Sequence, residues 1–319
     1  MDFDRLHQFF KDHDNYILLT HKAPDGDTLG TAFALYAFLK ELGKKARVVN
    51  SEPFPERYSF LYEGYQEEQF EAQTVVALDI ATEQLFGSNL EEYKGKVDLC
   101  IDHHISNSYY AKESYVDGTA SAAALVLYDF FKDQGIELSD MQAKCLYTAI
   151  ATDTGCFKFE NTTPEAHIAA AELMQRDISF SIINRKMFDT KSCERLAVEQ
   201  AVISKMEYFF GGRCAVICLT KELMENSGVE PAEFDGLANI PMTVDSVQIG
   251  ITIKQRHERV FKLSVRTTES YDACKFCSFF GGGGHIRAAG CEIEGTLEEV
   301  KKKVLAEVEG FLGRTSCAE

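Results

Sequence analysis

The chain has 319 residues, 45% of them hydrophobic, and 33 Lys and Arg against 50 Asp and Glu leave a net charge of −17. That length and apolar content predict two domains with real cores rather than a disordered chain. The acidity excludes long duplex nucleic acid, whose binding needs Lys and Arg to displace counterions, but leaves room for a short phosphorylated substrate held by metals.

At the N-terminus, "MDFDRLHQFFKDHD" carries acids where a signal peptide needs a basic start and an apolar core. No apolar run approaches the ~20 residues of a membrane span. A cytoplasmic protein with no membrane partner is therefore expected. Next, "NYILLT", "KARVVN", "TVVALDI" and "VDLCID" are short runs of contiguous apolar and β-branched residues, which predict buried strands. Between and after them, "DTLGTAFALYAFLKELG", "TASAAALVLYDFFKDQG" and "MQAKCLYTAIATDTG" show helical spacing, and Gly43 and Gly135 suit helix C-termini. Such alternation predicts an α/β domain with a mostly parallel sheet flanked by helices, over residues 1–185. From about 165 to 205 the pattern is continuously helical, with 186–207 expected as a helical connector. "RCAVICLT", "SVQIGITIKQ", "VFKLSVRTT" and the helical "LEEVKKKVLAEVEGFL" then predict a smaller α/β domain over 208–319.

Ten cysteines lie scattered in apolar settings, which suits buried free thiols in a reducing compartment. Cys274 and Cys277 have the spacing of half a zinc site but no second pair, so they are expected on a helix before a glycine loop.

"HKAPDGDTLG" sets His21, Asp25 and Asp27 directly after a strand. Pro-Asp-Gly is an ordinary turn signal, yet it explains neither His21 nor the spacing. If that segment is extended, Asp25 and Asp27 point the same way. Asp79 ends "VVALD", Asp102, His103 and His104 end "VDLCIDHH", and Asp153 stands near the end of "AIATDTG". Four apolar segments thus each deliver an acid or imidazole at their C-terminal end, where open α/β sheets bind ligands. So many carboxylates cannot converge without cations, because mutual repulsion would protonate some of them. Hard oxygen donors mixed with imidazole favour Mn(II), with Mg(II), Fe(II), Co(II) or Zn(II) as substitutes. The ligand number implies two ions about 4 Å apart that share a carboxylate and clamp an in-line phosphoryl displacement. Hydrolysis of a phosphate ester is the expected chemistry.

These four segments, "HKAPDGDTLG", "LDIA", "DHH" and "ATDTG", resemble the four motifs of the DHH phosphoesterase superfamily. "GGGGHIRAAG" resembles the signature of the C-terminal domain that accompanies DHH in one branch. The resemblance implies that His21, Asp25 and Asp79 hold one ion, and that Asp27, Asp79, His103 and Asp153 hold the second, with Asp79 bridging. It makes Asp102 a carboxylate that orients an imidazole, and His104 a donor of a hydrogen bond or proton to the phosphate.

In the second domain, the backbone of Gly282, Gly283 and Gly284 would let a phosphate approach, especially if a helix follows. His285 and Arg287 would add charged contacts, and the family places an arginine in substrate contact at Arg266. A metal centre on one domain and a phosphate clamp on the other imply a cleft for a few nucleotides. This two-domain plan resembles the NrnA-type enzymes, which degrade short RNA to mononucleotides and remove the 3′-phosphate of adenosine 3′,5′-bisphosphate (pAp). Cyclic-di-AMP and pApA phosphodiesterases share every motif quoted and stand as the alternative. A non-catalytic nucleotide sensor would be expected to lack metal ligands, and none is missing. A homodimer is left open.

Overall fold

Contiguous apolar runs pair here as parallel strands. They are β1 (Tyr16–Leu19), β2 (Ala46–Val49), β3 (Thr74–Leu78) and β4 (Leu99–Asp102), with β5 (Glu113–Val116) at the edge. The central β1, β3 and β4 are buried on both faces, and β2 at the opposite edge is alternately buried and half-buried. The computed structural model describes residues 2–229 and 231–314. The chain divides after Thr190 into two units, each with its own sheet.

In the first unit the strand order is β2-β1-β3-β4-β5, all parallel. The chain leaves β1 toward one side to form β2 and toward the other to form β3, so the topological switch point lies between β1 and β3. Alternate residues feed two cores. Tyr16, Leu18, Val76, Leu78, Leu99 and Ile101 face the helices α2 (Gly26–Glu41), α3 (Ala123–Asp133) and α4 (Asp140–Asp153). Ile17, Leu19, Val75, Ala77 and Cys100 face Phe86, Leu90 and Val97, which lie in or beside short 3₁₀ turns. The helix α1 (Phe3–Asp12) precedes the sheet, capped by Asp2 and burying Leu6 and Phe10. β5 carries only one fully buried residue, Tyr115, so no apolar run announces it.

α2 and α4 approach closely because glycine stands at their contact. A Cβ on Gly26 would lie 2.2 Å from Thr152 Oγ1, and one on Gly30 would lie 2.5 Å from the Cys145 carbonyl oxygen. That contact brings the start of α2 beside the end of α4.

The stretch expected to be continuously helical is broken into α5 (Pro164–Leu173), α6 (Phe180–Asn184) running into a π-helical turn, and α7 (Cys193–Ser204). Ser179 is left-handed with φ of 52°, and Ser192 caps α7 by accepting the Arg195 amide. Short polar side chains compete with helical hydrogen bonds and favour such breaks. Residues 186–207 accordingly do not form one connector. The turn Arg185–Asp189 belongs to the first unit and α7 to the second.

The second unit holds β6 (Glu207–Phe209), β7 (Cys214–Leu219), β8 (Ile249–His257), β9 (Val260–Thr267), β10 (Gly283–Gly284) and β11 (Ala288–Glu294) in the order β10-β11-β9-β8-β7-β6. All neighbours are antiparallel except β7 and β8. Between β7 and β8 lie the short α8 (Lys221–Glu225) and a 3₁₀ run, Pro231–Thr243. α9 (Ala273–Ser278) and α10 (Leu297–Arg314) bury Phe276, Val300, Val304 and Val308 against Ile251, Leu263 and Val265. Cys274 and Cys277 stand on α9 as expected, and the nine cysteines among the described residues are free. Among the described residues, no helix is long and apolar enough to cross a membrane.

A candidate metal centre at the switch point

His21 lies just beyond β1, and Asp25 caps α2, its Oδ1 accepting the amides of Asp27 and Thr28 at 3.0 and 3.1 Å. The segment is therefore not extended, because this cap starts a helix at Gly26. Asp25 stays open to solvent, whereas Asp27 enters the first helical turn and is buried. Asp27 Oδ2 accepts the Ala123 amide at 2.7 Å, while Oδ1 accepts from Ala124 at 3.0 Å and from the Thr31 hydroxyl at 3.1 Å. It thereby caps α3, whose preceding residue Ala122 has no capping side chain. Asp79 follows β3 in the left-handed region, φ 58°, with its amide donated to the Ile101 carbonyl at 2.9 Å. Asp102 is the last residue of β4, and Asp153 the last of α4.

The side chains converge. His21 Nε2 lies 3.5 Å from Asp25 Oδ1 and 3.7 Å from Asp79 Oδ2. His103 Nε2 lies 3.6 Å from Asp79 Oδ1, 3.8 Å from Asp27 Oδ2 and 3.7 Å from Asp153 Oδ2. Each oxygen of Asp79 thus faces a different imidazole. Donor atoms of His21, Asp25 and Asp79 lie within 4.8 Å of one another, as do those of Asp27, His103 and Asp153.

Without a cation this arrangement is unfavourable. Burial, reinforced by Asp27, Asp25 and Asp153, pushes Asp79 well above the usual carboxylate range. Burial and the charges of Asp27 and Asp25 push Asp153 up to about 8. Asp79 Oδ1 is, among the described residues, the only buried carboxylate oxygen without a hydrogen-bond partner. Buried polar atoms are nearly always satisfied, so an orphan at the centre of five carboxylates and imidazoles fits a bound divalent cation.

Beside the acids, Asp102 Oδ1 accepts His104 Nδ1–H at 2.7 Å and the His103 amide at 2.8 Å, and Asn107 donates to Oδ2. Burial alone would raise Asp102, but the bonds from His104, Asn107 and the His103 amide hold it below its ordinary value. The same bond to Asp102 raises His104 from its ordinary value. His103 Nδ1 meets the Ala120 carbonyl at 3.1 Å, which makes it the N–H and leaves Nε2 free to face the acids.

Residues 15–150 match the DHH family, N-terminal domain. The bifunctional oligoribonuclease and PAP phosphatase NrnA of Thermus thermophilus is 32% identical over 303 residues, spanning 93% of this chain and 90% of that protein. The chain belongs to the DHH family. A probable bifunctional oligoribonuclease and PAP phosphatase NrnA of Streptococcus mutans is 26% identical over 88% of this chain and 90% of its own. The crystal structure of an exopolyphosphatase-related protein from Bacteroides fragilis superposes with a TM-score of 0.88 at 26% identity, covering 98% and 97% of the two chains.

The second unit of this DHH-family chain arranges its expected substrate residues differently from the sequence reading. The glycine run leads into the hairpin of β10 and β11, not into a helix. His285 and Ala288 exchange backbone hydrogen bonds at 2.8 and 3.2 Å, closing the turn and leaving His285 exposed. Arg287 donates to the carbonyls of Thr268 and Tyr271 at 3.1 and 2.7 Å, so it braces the turn. Arg266, across from Ala288 on β9, donates to Asn239 Oδ1 at 3.0 Å. Gly282 and Gly284 are tightly packed: a Cβ would come within 2.3 Å of the Gly290 oxygen and 2.7 Å of the Ala288 oxygen respectively. Gly283 faces open space.

Sequence reasoning missed Asn107, the α3 amides and Asn161, whose Nδ2 donates to Asp153 Oδ2 at 3.2 Å. The spacing Gly26-x-x-x-Gly30 was the legible sign of the α2–α4 contact.

Proposed function

We propose that this protein is a divalent-metal-dependent phosphoesterase that hydrolyses short RNA oligonucleotides to mononucleotides and dephosphorylates pAp. The observation that carries the reading is Asp79, buried, with Oδ2 toward His21 and Oδ1, which accepts no hydrogen bond, toward His103 and His104. His21, Asp25 and Asp79 would hold one ion, and Asp27, Asp79, His103 and Asp153 the other. Mn(II) is the favoured ion on donor chemistry. Bound there, the ions would polarise a phosphoryl oxygen and lower the pKa of a water. The oligoribonuclease and PAP phosphatase names of the two relatives support the choice of substrates.

The chain's own groups supply the rest. Asp102 and Asn107 fix the His104 ring, and the bond to Asp102 favours its protonated form, a donor for phosphate oxygen. The α3 amides and Thr31 keep Asp27 aimed into the cluster. In the second unit, the exposed His285 and the open Gly283 backbone are assigned to a substrate phosphate. Arg287 and Arg266 shape the surface that presents them.

The test is a substrate series at fixed Mn(II): pApA, a pentanucleotide, a 24-mer, pAp and cyclic-di-AMP. Fastest turnover is expected on RNA of about two to five nucleotides, with pAp cleaved as well and a shallow salt dependence from the few phosphates engaged. Rates that climb with length, or a preference for the cyclic dinucleotide, would contradict the assignment.

A further inference from the structure

Two large aromatic side chains left open to solvent stand on the turns that hold the acid cluster. Tyr109 is 65% exposed and Phe159 is 53% exposed. Lone exposed apolar residues are ordinary on protein surfaces. What sets these two apart is how firmly they are tied to the site.

The Tyr109 amide donates to Asn107 Oδ1 at 2.7 Å, and Asn107 Nδ2 donates to Asp102 Oδ2. Ser108 in between donates its amide to the Ala81 carbonyl at 2.9 Å, pinning the turn to the segment that carries Asp79. Tyr109 itself is left-handed, φ 52°, a conformation that costs a bulky residue free energy and persists only where the surroundings enforce it. Its neighbour Tyr110 faces inward and bonds the Ile80 carbonyl at 2.9 Å, so the strained turn directs one ring of the pair outward.

Phe159 repeats the arrangement at Asp153. Its amide donates to the Thr154 carbonyl at 3.0 Å, and its ring lies over Gly155, where a Cβ would come within 2.4 Å of it. Two residues on, Asn161 grips Asp153. Each aromatic therefore stands two positions from an asparagine bound to a carboxylate of the site.

We propose that Tyr109 and Phe159 are platforms on which nucleobases flanking the scissile phosphate stack. The inference rests on the functional reading above and names what that site grips besides phosphate. In an acidic chain the phosphates gain little from bulk charge, whereas a base has an uncharged π-face that stacks on any aromatic ring without regard to sequence. The platforms thus suit a hydrolase of short RNA of any sequence.

The experiment compares kcat/KM for pApA with that for two analogues, abasic at the 5′ or the 3′ position. Tyr109→Gly removes the ring and relieves the left-handed strain, and Tyr109→Phe keeps the ring. Phe159→Ala and Phe159→Tyr do the same at the other turn. Loss of stacking on one base should lower the ratio of based to abasic turnover about tenfold to a hundredfold in Tyr109→Gly and Phe159→Ala, each against one analogue. Tyr109→Phe and Phe159→Tyr should keep the wild-type ratio. Ratios unchanged in both ring-less variants, with wild type cleaving pApA, would overturn this inference alone. A wild-type protein that cleaves neither pApA nor its analogues would overturn it together with the functional reading.

Discussion

In the first unit Asp25, Asp27, Asp102 and Asp153 each accept hydrogen bonds from amides, hydroxyls, imidazole or asparagine, and three helices and one strand hold them. In the second unit the expected substrate residues of the glycine run, His285 and Arg287 belong to a hairpin turn whose own hydrogen bonds are mostly spent on closing it, and Arg266 stands on the neighbouring β9. The contrast follows from what each region would bind. A cluster of buried charges is tolerable only when rigid and compensated, so its donors are assembled before any ligand arrives. A turn that grips phosphate, as proposed for the second unit, would work from the surface, where open backbone and one exposed imidazole are enough.

Substitution at Asp79 breaks the first half of that contrast most severely. Asp79→Ala removes a donor from both proposed ions, and losing about 4 kcal/mol of Lewis-acid stabilisation is roughly a thousandfold in kcat. Steady-state kinetics on pApA at saturating Mn(II) check this, and an Asp79→Ala enzyme within tenfold of wild type would remove the bridging role.

His285→Ala tests the second region. Loss of one charge-assisted hydrogen bond to phosphate should lower kcat/KM on pApA about tenfold to a hundredfold while bis-p-nitrophenyl phosphate is cleaved nearly as before. Equal losses on both substrates would place His285 in the chemistry. Asn107→Ala should also cost about tenfold to a hundredfold, but on both substrates, because it frees the carboxylate that fixes His104. The two variants together separate a residue that grips substrate from one that positions a catalytic group.

The smallest effects are expected within the glycine run. Gly282→Ala forces a Cβ against the Gly290 oxygen and Cys291, and should destabilise the second unit by about 1–3 kcal/mol in urea unfolding. Gly283→Ala meets open space, so its stability should match wild type to within about 0.5 kcal/mol. If Gly283→Ala nevertheless weakens pApA turnover, the added methyl is obstructing a ligand rather than the fold.

Much of the first unit was legible because the acids and imidazoles that cluster there stand where apolar runs end. β1, β3, β4 and α4 each announce themselves by composition, and His21, Asp79, Asp102, His103, His104 and Asp153 are the polar residues that terminate them. The supporting hydrogen bonds were not legible. Asp27 reaches amides 96 and 97 residues away, which no local pattern records. Asn107 and Asn161 are short polar residues in turns, where composition carries no periodicity. The glycine run misled in the opposite sense: "GGGGH" suits a helix N-terminus as well as a hairpin, and only its pairing with β11 decides between them. The first domain was expected to end at 185 and the chain divides after Thr190, but helical spacing on both sides hid that α7 belongs to the second unit.

Calorimetric titration of Mn(II) into protein stripped with chelator tests the metal centre directly, with Asp79→Ala run beside wild type and folding of both checked by circular dichroism. Wild type should bind about two ions per chain, and Asp79→Ala fewer or far more weakly. A folded wild-type protein that binds no Mn(II), or an Asp79→Ala protein that binds two ions as tightly as wild type, would contradict a shared metal centre at the switch point of the sheet.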